Sequence, residues 1–502
     1  MFKLIWSYVA SVCFLFLPSI ALAHEPNATQ TWTPNDPFYN SQGTIQGAPH
    51  LENMWGTHLL NLDSIWPYAQ GEGVTVAVID GGLDLDHVEF EDQLWVNDLE
   101  LEGEDGVDDD GNGLIDDVHG WNFFADNDDL EDASGHGTSV SGIIAAKGNN
   151  ARGMIGVAPQ AKIMPLRISD GNVSSILGFI HALVYAADNG ADVINISQNW
   201  YNDQIPAEVI DTVHEAIQYA RSKGCVIVTS AGNAGTDIQT SFNAAFPEVI
   251  AVGALLHSNP LNIESLTRAP FSNFGEELDV VAPGVQILAT YLDGQYAFPS
   301  GTSFAAPMVS GLIALMLERQ PDLTYSDISL RLRYSSIDLG EEGRDDDFGY
   351  GLINPLEALT HDYFSNGAIR SEYLFESDIW NIIQYDYFQN GTLRRVTFSD
   401  QSVYSVIEGD VNFDQQVNLS DFAIFKTHFG TPSSHWTQGD FNNDHSTNLT
   451  DFALLKQNFG QSAASPILQF LETKHQVLSS IPIASPGSFA LAQDDGLAQK
   501  SS

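Results

Sequence analysis

Residues 74–79 read Val74-Thr-Val-Ala-Val-Ile79, a continuous run in which β-branched residues predominate. Three further runs of this kind lie at 192–197, 225–229 and 249–252. Such runs are typical of strands in a parallel sheet that is covered on both faces. Apolar residues recur at helical spacing between the runs, at 176–187 and 206–224. The sequence therefore predicts an α/β fold with a mostly parallel sheet.

Residues 1–23 have the three parts of a secretory signal peptide. Lys3 precedes the apolar stretch from Ile5 to Leu17, and Ala21-Leu-Ala23 supplies the small residues of a cleavage site. A membrane anchor is the alternative, but this stretch is shorter than the ~20 residues that span a bilayer. We therefore expect an extracellular protein without a membrane span that begins near His24, with the periplasm and the cell surface as alternative locations.

The formal net charge of the chain is −47, and loss of Lys3 with the signal peptide makes it one unit more negative. This charge excludes nucleic acid as a partner and indicates bound cations wherever carboxylates crowd together. Of the two cysteines, Cys13 leaves with the signal peptide and Cys225 remains alone. Because no intrachain disulfide is then possible, calcium is the expected source of added stability.

Three motifs each place a reactive side chain among small residues. They read Val76-Ala-Val-Ile-Asp80-Gly-Gly, Ser134-Gly-His136-Gly-Thr and Gly301-Thr-Ser303-Phe-Ala-Ala-Pro. A serine hydroxyl needs an imidazole to take its proton and a carboxylate to orient that imidazole, and Asp80, His136 and Ser303 supply one of each. The flanking glycines allow close approach of a substrate backbone. Taken singly, these residues also fit a helix cap, a turn and a loop.

In this order and with these surroundings, the motifs resemble those of the subtilisin-like serine proteases, from about Gly71 to Leu359. The resemblance implies a three-layer α/β fold with the active site at the carboxyl edge of the sheet. It also implies an endopeptidase that cleaves protein or peptide substrates through an acyl-enzyme at Ser303, without an organic cofactor. Asn233, in Thr229-Ser-Ala-Gly-Asn233, then donates a hydrogen bond to the oxyanion. A turn cap is the alternative role for Asn233.

The chain departs from the family pattern at the substrate-binding edge. The family usually follows its Asn-x-Ser strand with Leu-Gly, whereas this chain continues from Asn195-Ile-Ser197 into Gln198-Asn199-Trp200. Substrate specificity is therefore open. A narrow enzyme that processes a particular precursor is one alternative to a general protease, and a non-catalytic binding protein on the same fold is another.

An acidic stretch between the Asp and His motifs reads Asp105-Gly-Val-Asp108-Asp-Asp110-Gly-Asn112-Gly-Leu114-Ile-Asp116-Asp117. Oxygen donors at alternate positions, with a glycine for a sharp turn, suit a calcium ion. The expected ligands are Asp108, Asp110, Asn112, the carbonyl group of Leu114, and Asp116 or Asp117. A solvated acidic loop is the alternative.

Residues 408–460 contain an internal repeat with EF-hand-like spacing of oxygen donors. Its expected calcium ligands are Asp410, Asn412, Asp414, Gln416, Asn418 and Asp421 in the first copy, and Asp440, Asn442, Asp444, Ser446, Asn448 and Asp451 in the second. The repeat resembles a dockerin, which implies a cohesin-bearing partner. Gln415 and His445 replace the usual loop glycine, which should weaken calcium affinity. A module that only binds calcium is the alternative.

These observations predict an ordered series of segments along the chain. After the signal peptide come an N-terminal extension (24–66) that lies on the mature domain, the peptidase domain (67–362), a small β appendage (363–405) with a turn at 389–392, the small α-helical dockerin-like module (406–462), and an unassigned tail (463–502).

Overall fold

The computed structural model describes residues 32–40, 54–201, 205–259 and 262–363. It also describes 369–376, 379–387, 393–398, 403–405 and seven residues between 422 and 456. The signal peptide, the turn at 389–392, the ligands expected in the repeat and the tail 463–502 lie outside the described residues. Contacts divide the chain into a larger unit, 26–382, and a second unit that includes 383–502. This division falls inside the stretch expected to form the β appendage.

The core of the larger unit is a sheet of eight strands. They are β1 (Thr75–Asp80), β2 (Trp121–Asn122), β3 (Lys162–Arg167), β4 (Val193–Ile196), β5 (Val226–Ser230), β6 (Ile250–His257), β7 (Leu266–Arg268) and β8 (Val280–Pro283). Their order is β2-β3-β1-β4-β5-β6-β7, with β8 also paired with β6. The β6–β7 pair is antiparallel, and the other pairs of this sheet are parallel. The carboxyl ends of β1, β4 and β5 therefore lie at one edge.

Eight α-helices are described in the same unit. They are α1 (Trp55–Leu59), α2 (Asp98–Glu102), α3 (His136–Ala145), α4 (Ile176–Asp188), α5 (Ala207–Ser222), α6 (Thr302–Arg319), α7 (Tyr325–Ser335) and α8 (Pro355–Thr360). A short ribbon, β9 (Ala289–Tyr291) with β10 (Gln295–Ala297), contacts α3. Within the described part of the chain, no helix is both long enough and apolar enough to cross a bilayer.

Strand β1 shows why the apolar runs are continuous. Val76 and Val78 belong to the core that includes α3 and α6, whereas Ala77 and Ile79 belong to the core that includes α4 and α5. Successive side chains of a strand point to opposite faces, so both faces are buried. The predicted three-layer α/β fold is confirmed.

The described part of the N-terminal extension packs on this unit. The Phe38 ring meets Tyr296 edge-on, with 4.9 Å between ring centroids, and Nε1 of the buried Trp66 donates to the carbonyl oxygen of Val157 at 2.9 Å. Asp36 is fully buried, and its carboxylate accepts hydrogen bonds from the backbone N–H groups of Asn149 at 2.8 Å and Asn150 at 3.3 Å. Apolar contact and backbone capping thus hold the segment in place.

Farther along the chain, the described residues up to 405 form antiparallel strands. In the larger unit β11 (His361–Tyr363) pairs antiparallel with β12 (Ile369–Glu376). Antiparallel pairing also joins β13 (Ile379–Tyr387) to β14 (Leu393–Phe398), and β14 to β15 (Val403–Ser405).

The described residues of the repeat are helical and pack through aromatic rings. The Phe452 ring lies 6.1 Å from that of Phe422 and 5.8 Å from that of Phe425. Phe422 and Phe452 occupy equivalent positions in the two copies, each directly after the last expected ligand. The two copies therefore form one small core.

Candidate active site

Asp80 and His136 are in contact at the carboxyl edge of the sheet. Asp80 ends β1 and is 1% exposed, whereas His136 begins α3. The imidazole Nδ1 lies 2.8 Å from one carboxylate oxygen of Asp80 and 2.9 Å from the other. Burial by itself lowers the pKa of His136, but the charge and hydrogen bond of Asp80 and the charge of Asp132 raise it above its usual value.

Asp132 holds the helix that presents His136. One oxygen of its buried carboxylate accepts hydrogen bonds from the backbone N–H groups of Ser134 and Gly135, both at 2.9 Å. The other oxygen accepts from the N–H and the hydroxyl of Thr138, both at 2.9 Å. The N–H groups at the start of a helix have no partner within it. Asp132 supplies such a partner, and its negative charge is favourable at the N-terminus of the helix.

The glycines beside His136 make room for the protein itself. Gly135 has φ of 79°, and a Cβ there would lie 2.3 Å from the ring of Tyr291. A Cβ at Gly137 would lie 2.1 Å from the carbonyl oxygen of Gly82. β9 and the turn after β1 occupy the space that the sequence pattern predicts for a substrate backbone. Close packing of α3 is thus a reason for both glycines.

Ser303 lies in the first turn of α6, a helix that packs on α3. The ring of the next residue, Phe304, is 5.4 Å from that of His136. Ser303 is 6% exposed, and its hydroxyl donates to the carbonyl oxygen of Ser197 at 3.1 Å. The hydroxyl of Ser197 donates in turn to the carbonyl oxygen of Ser303 at 3.0 Å. These two bonds tie the nucleophile candidate to the end of β4.

Asn233 lies just beyond β5, where its side chain meets the start of α6. Its Oδ1 accepts from the N–H and from the hydroxyl of Thr302, both at 2.9 Å. That hydroxyl also accepts from the N–H of Gly232 at 3.2 Å. Both partners donate hydrogen bonds, so the amide atom that they contact must be the oxygen, Oδ1. The NH2 group of Asn233 therefore points away from Thr302. Asn233 is exposed, and its NH2 group has no acceptor among the described residues.

A second candidate site lies in the acidic loop. Carboxylate oxygens of Glu100, Asp108 and Asp110 all lie within 4.8 Å of one another. Glu100 is nearly buried, and its carboxylate also accepts hydrogen bonds from the backbone N–H groups of Asp109, at 2.8 Å, and Asp110, at 3.0 Å. Converging carboxylates repel one another and suit a hard cation such as calcium. The structure thus adds Glu100 to the predicted residues.

The other predicted ligands of this loop have partners within the protein. Asp116 accepts hydrogen bonds from a backbone N–H of the same loop at 3.0 Å. Asp117 is fully buried and accepts from the hydroxyl of Tyr185 at 2.6 Å and the amide of Asn112 at 3.0 Å. The oxygen of that amide accepts from the N–H of Leu114 at 2.7 Å. Burial raises the pKa of Asp117, and nearby acids add to the increase.

Glu100 and Asp132 were both missed at the level of the sequence. Glu100 lies eight positions before Asp108 on a separate short helix, so no loop spacing connects the two. Asp132 carried a usable signal, because an Asp shortly before a helix start is typical of a capping residue.

Comparisons with known proteins support the family resemblance and the fold. Residues 71–351 match the subtilase family, and residues 408–460 match the dockerin type I domain. The thermophilic serine proteinase of Bacillus sp. strain AK1 is 35% identical over 67% of this chain and 72% of its own. Thermitase of Thermoactinomyces vulgaris is 30% identical over 57% of this chain and 85% of its own. The crystal structure of a lanthipeptide protease matches with a TM-score of 0.52 and 25% identity, over 66% of this chain and 99% of its own.

The fold, the motifs and these matches define a serine endopeptidase of the subtilisin type. The chain belongs to the subtilase family and carries a dockerin type I domain.

Proposed function

We propose that the chain cleaves peptide bonds with Asp80, His136 and Ser303 as its catalytic triad. The observation that carries this assignment is the contact of both Asp80 oxygens with Nδ1 of His136, next to the helix start that presents Ser303. A carboxylate at Nδ1 holds the proton there and leaves Nε2 free to act as the base.

The reaction uses these residues in two steps. Ser303 Oγ turns from Ser197 toward His136, forms a bond to the scissile carbonyl carbon, and passes its proton to Nε2. The Asn233 amide and the backbone N–H of Ser303 donate to the oxyanion. The C–N bond then breaks as His136 gives the proton to the leaving amine, and an acyl-enzyme remains on Ser303. In the second step water attacks the acyl carbon while His136 takes its proton, and the bond to Ser303 Oγ then breaks as His136 returns that proton.

An active-site label tests this assignment directly. A fluorophosphonate reacts with a serine that is activated by a neighbouring base, so we expect a single covalent adduct on Ser303, located by peptide mass spectrometry. His136→Ala should abolish labelling, while His181→Ala, a histidine on α4, should leave it intact. An adduct on another residue contradicts the assignment.

We also infer a structural calcium ion between Glu100, Asp108 and Asp110. It supplies positive charge to three converging carboxylates and fixes the loop that leads through β2 toward His136. The dockerin type I domain supports further calcium binding and a cohesin-bearing partner. Residues 1–23 support export to the outside of the cell.

A narrow processing role is the second candidate. One structural relative is described as a lanthipeptide protease, and residues 198–200 depart from the usual substrate-binding edge. Cleavage profiling on an unbiased peptide library distinguishes the two roles. A processing enzyme cuts one short motif, whereas a general protease cuts many sequences.

A further inference from the structure

The residues after β4 and those after β5 run side by side next to Ser303, and the space between them is here termed the crevice. The two strands are parallel neighbours, with Ile196 paired to Thr229. Residues 197–200 and 230–233 therefore leave the same edge of the sheet side by side. In open α/β sheets, ligands bind on the side of the carboxyl ends of the strands. Ser303 is bonded to the start of the first segment, and Asn233 ends the second.

Asn199 bridges the two sides of this crevice. Its Nδ2 donates to the carbonyl oxygen of Ser230 at 2.7 Å and to the hydroxyl of Ser241 at 2.8 Å. The hydroxyl of Ser230 donates back to Oδ1 of Asn199 at 2.8 Å. Ser230 and Ser241 are both fully buried. Both ends of the Asn199 amide are thus used within the protein, and the side chain is fixed across the gap.

The backbone on either side of Asn199 is anchored as well. The amide of Asn243 donates to the carbonyl oxygen of Gln198 at 2.9 Å. Trp200 is 9% exposed, and its ring packs on Phe179 with 4.8 Å between centroids. The carbonyl oxygen of Trp200 accepts from the N–H of Phe242 at 3.3 Å. The bridging side chain therefore cannot move aside with its backbone without breaking these contacts.

A substrate bound for cleavage has to use this crevice. Its scissile carbonyl carbon must lie within reach of Ser303 Oγ, with the carbonyl oxygen near the Asn233 amide. The side chain of the residue before the scissile bond then projects between residues 197–200 and 230–233. A small side chain fits above the bridge. A large one has to displace Asn199, which takes the acceptor from the buried hydroxyl of Ser230 and a donor from that of Ser241.

We propose that Asn199 determines specificity by closing this crevice, so that the residue before the scissile bond is Gly, Ala or Ser. This inference rests on the function proposed for Ser303. It names a specificity-determining residue that the sequence motif alone leaves undefined.

The test is a fluorogenic peptide series that differs only in the residue before the scissile bond, cleaved by the full-length protein. We expect kcat/KM for Ala to exceed that for Phe by about 10²-fold, since a buried bridge must break for Phe to enter. In Asn199→Ala the Ala-to-Phe ratio should fall at least ~10-fold. Asn262→Ala, which changes an exposed asparagine on a separate turn, should keep the wild-type ratio.

Two outcomes overturn the inference. One is a wild-type protein that cleaves after Phe as fast as after Ala, which needs no variant to fold. The other is Asn199→Ala with a wild-type melting temperature and an unchanged ratio. Fluorophosphonate labelling of the same samples separates this failure from a failure of the proposed triad. Labelled Ser303 with an unchanged ratio rejects only the role of Asn199, whereas absence of both label and cleavage rejects the triad.

Discussion

The side-chain oxygen of Asn233 accepts a hydrogen bond from the backbone N–H of Thr302, at 2.9 Å. Thr302 directly precedes Ser303, so the proposed nucleophile and the proposed oxyanion donor are held by one network. The network also fixes the rotation of the Asn233 amide, whose NH2 group has no acceptor among the described residues. Preorganised donors of this kind are effective because they do not have to reorient during the reaction.

Replacement of Asn233 by Ala should therefore lower kcat far more than it changes KM. Removing one oxyanion donor costs about 10²–10³ in kcat, because that bond is made fully only in the transition state. Steady-state kinetics on one peptide substrate measures the effect. Asn262→Ala, an exposed asparagine that caps a separate turn, is the control. An equal loss through KM alone would contradict the oxyanion role.

The activity should fall at acidic pH with an apparent pKa above 6.5. His136 must be neutral to accept a proton, and Asp80 and Asp132 favour its charged form, so kcat/KM rises with pH through a pKa higher than usual. In Asp132→Asn the acidic limb of the kcat/KM profile should move to lower pH, because one negative charge near the imidazole is removed. Asp129→Asn, which alters an exposed acid of the same loop, should leave it in place. If the acidic limb of Asp132→Asn matched that of the wild type, the charge of Asp132 would not raise the pKa of His136.

Asp132→Ala should also destabilise the protein. The first-turn N–H groups around His136 lose their acceptor in a buried environment, at a cost of about 1–3 kcal/mol in the free energy of unfolding. Denaturant unfolding at neutral pH measures it, with Asp129→Ala as the exposed control. If both variants unfold like the wild type, the capping argument is wrong.

Removal of calcium should lower the temperature at which peptidase activity is lost on heating. Calcium at 100 times its dissociation constant stabilises the folded protein by about 2.7 kcal/mol. Glu100→Gln should reduce this temperature in calcium and shrink the further drop caused by a chelator. Asp105→Asn, an exposed acid of the same loop outside the three-carboxylate group, should behave like the wild type. A chelator that has no effect excludes a stabilising ion at this site.

The strands and helices around the site were predictable because their signals are local. Both faces of β1 are buried, which is why the run from Val74 to Ile79 shows no alternation of polar residues. The apolar spacing from Ile176 marks α4, and Gly224, with φ of 103°, follows the end of α5. These patterns depend on nearest neighbours along the chain and do not require knowledge of the tertiary structure.

The parts of the site that the sequence did not predict depend on tertiary contacts. Asn199 bonds to Ser241, which is 42 positions away. Position 199 was recognised as a departure, but its function depends on which strands are neighbours. Glu100 joins the acidic loop from a separate helix, so the alternate spacing of Asp108 and Asp110 could not include it. The Asp-His-Ser order pointed to a triad, whereas the bond from Ser303 to Ser197 required the structure.

The role of Ser303 as the nucleophile is tested most directly by comparing the mature wild-type protein with Ser303→Ala on an unfolded protein substrate. We expect that the wild type degrades it and that the variant, with the same melting temperature, is slower by about 10⁶-fold. Digestion by Ser303→Ala at the wild-type rate would contradict the assignment of the nucleophile.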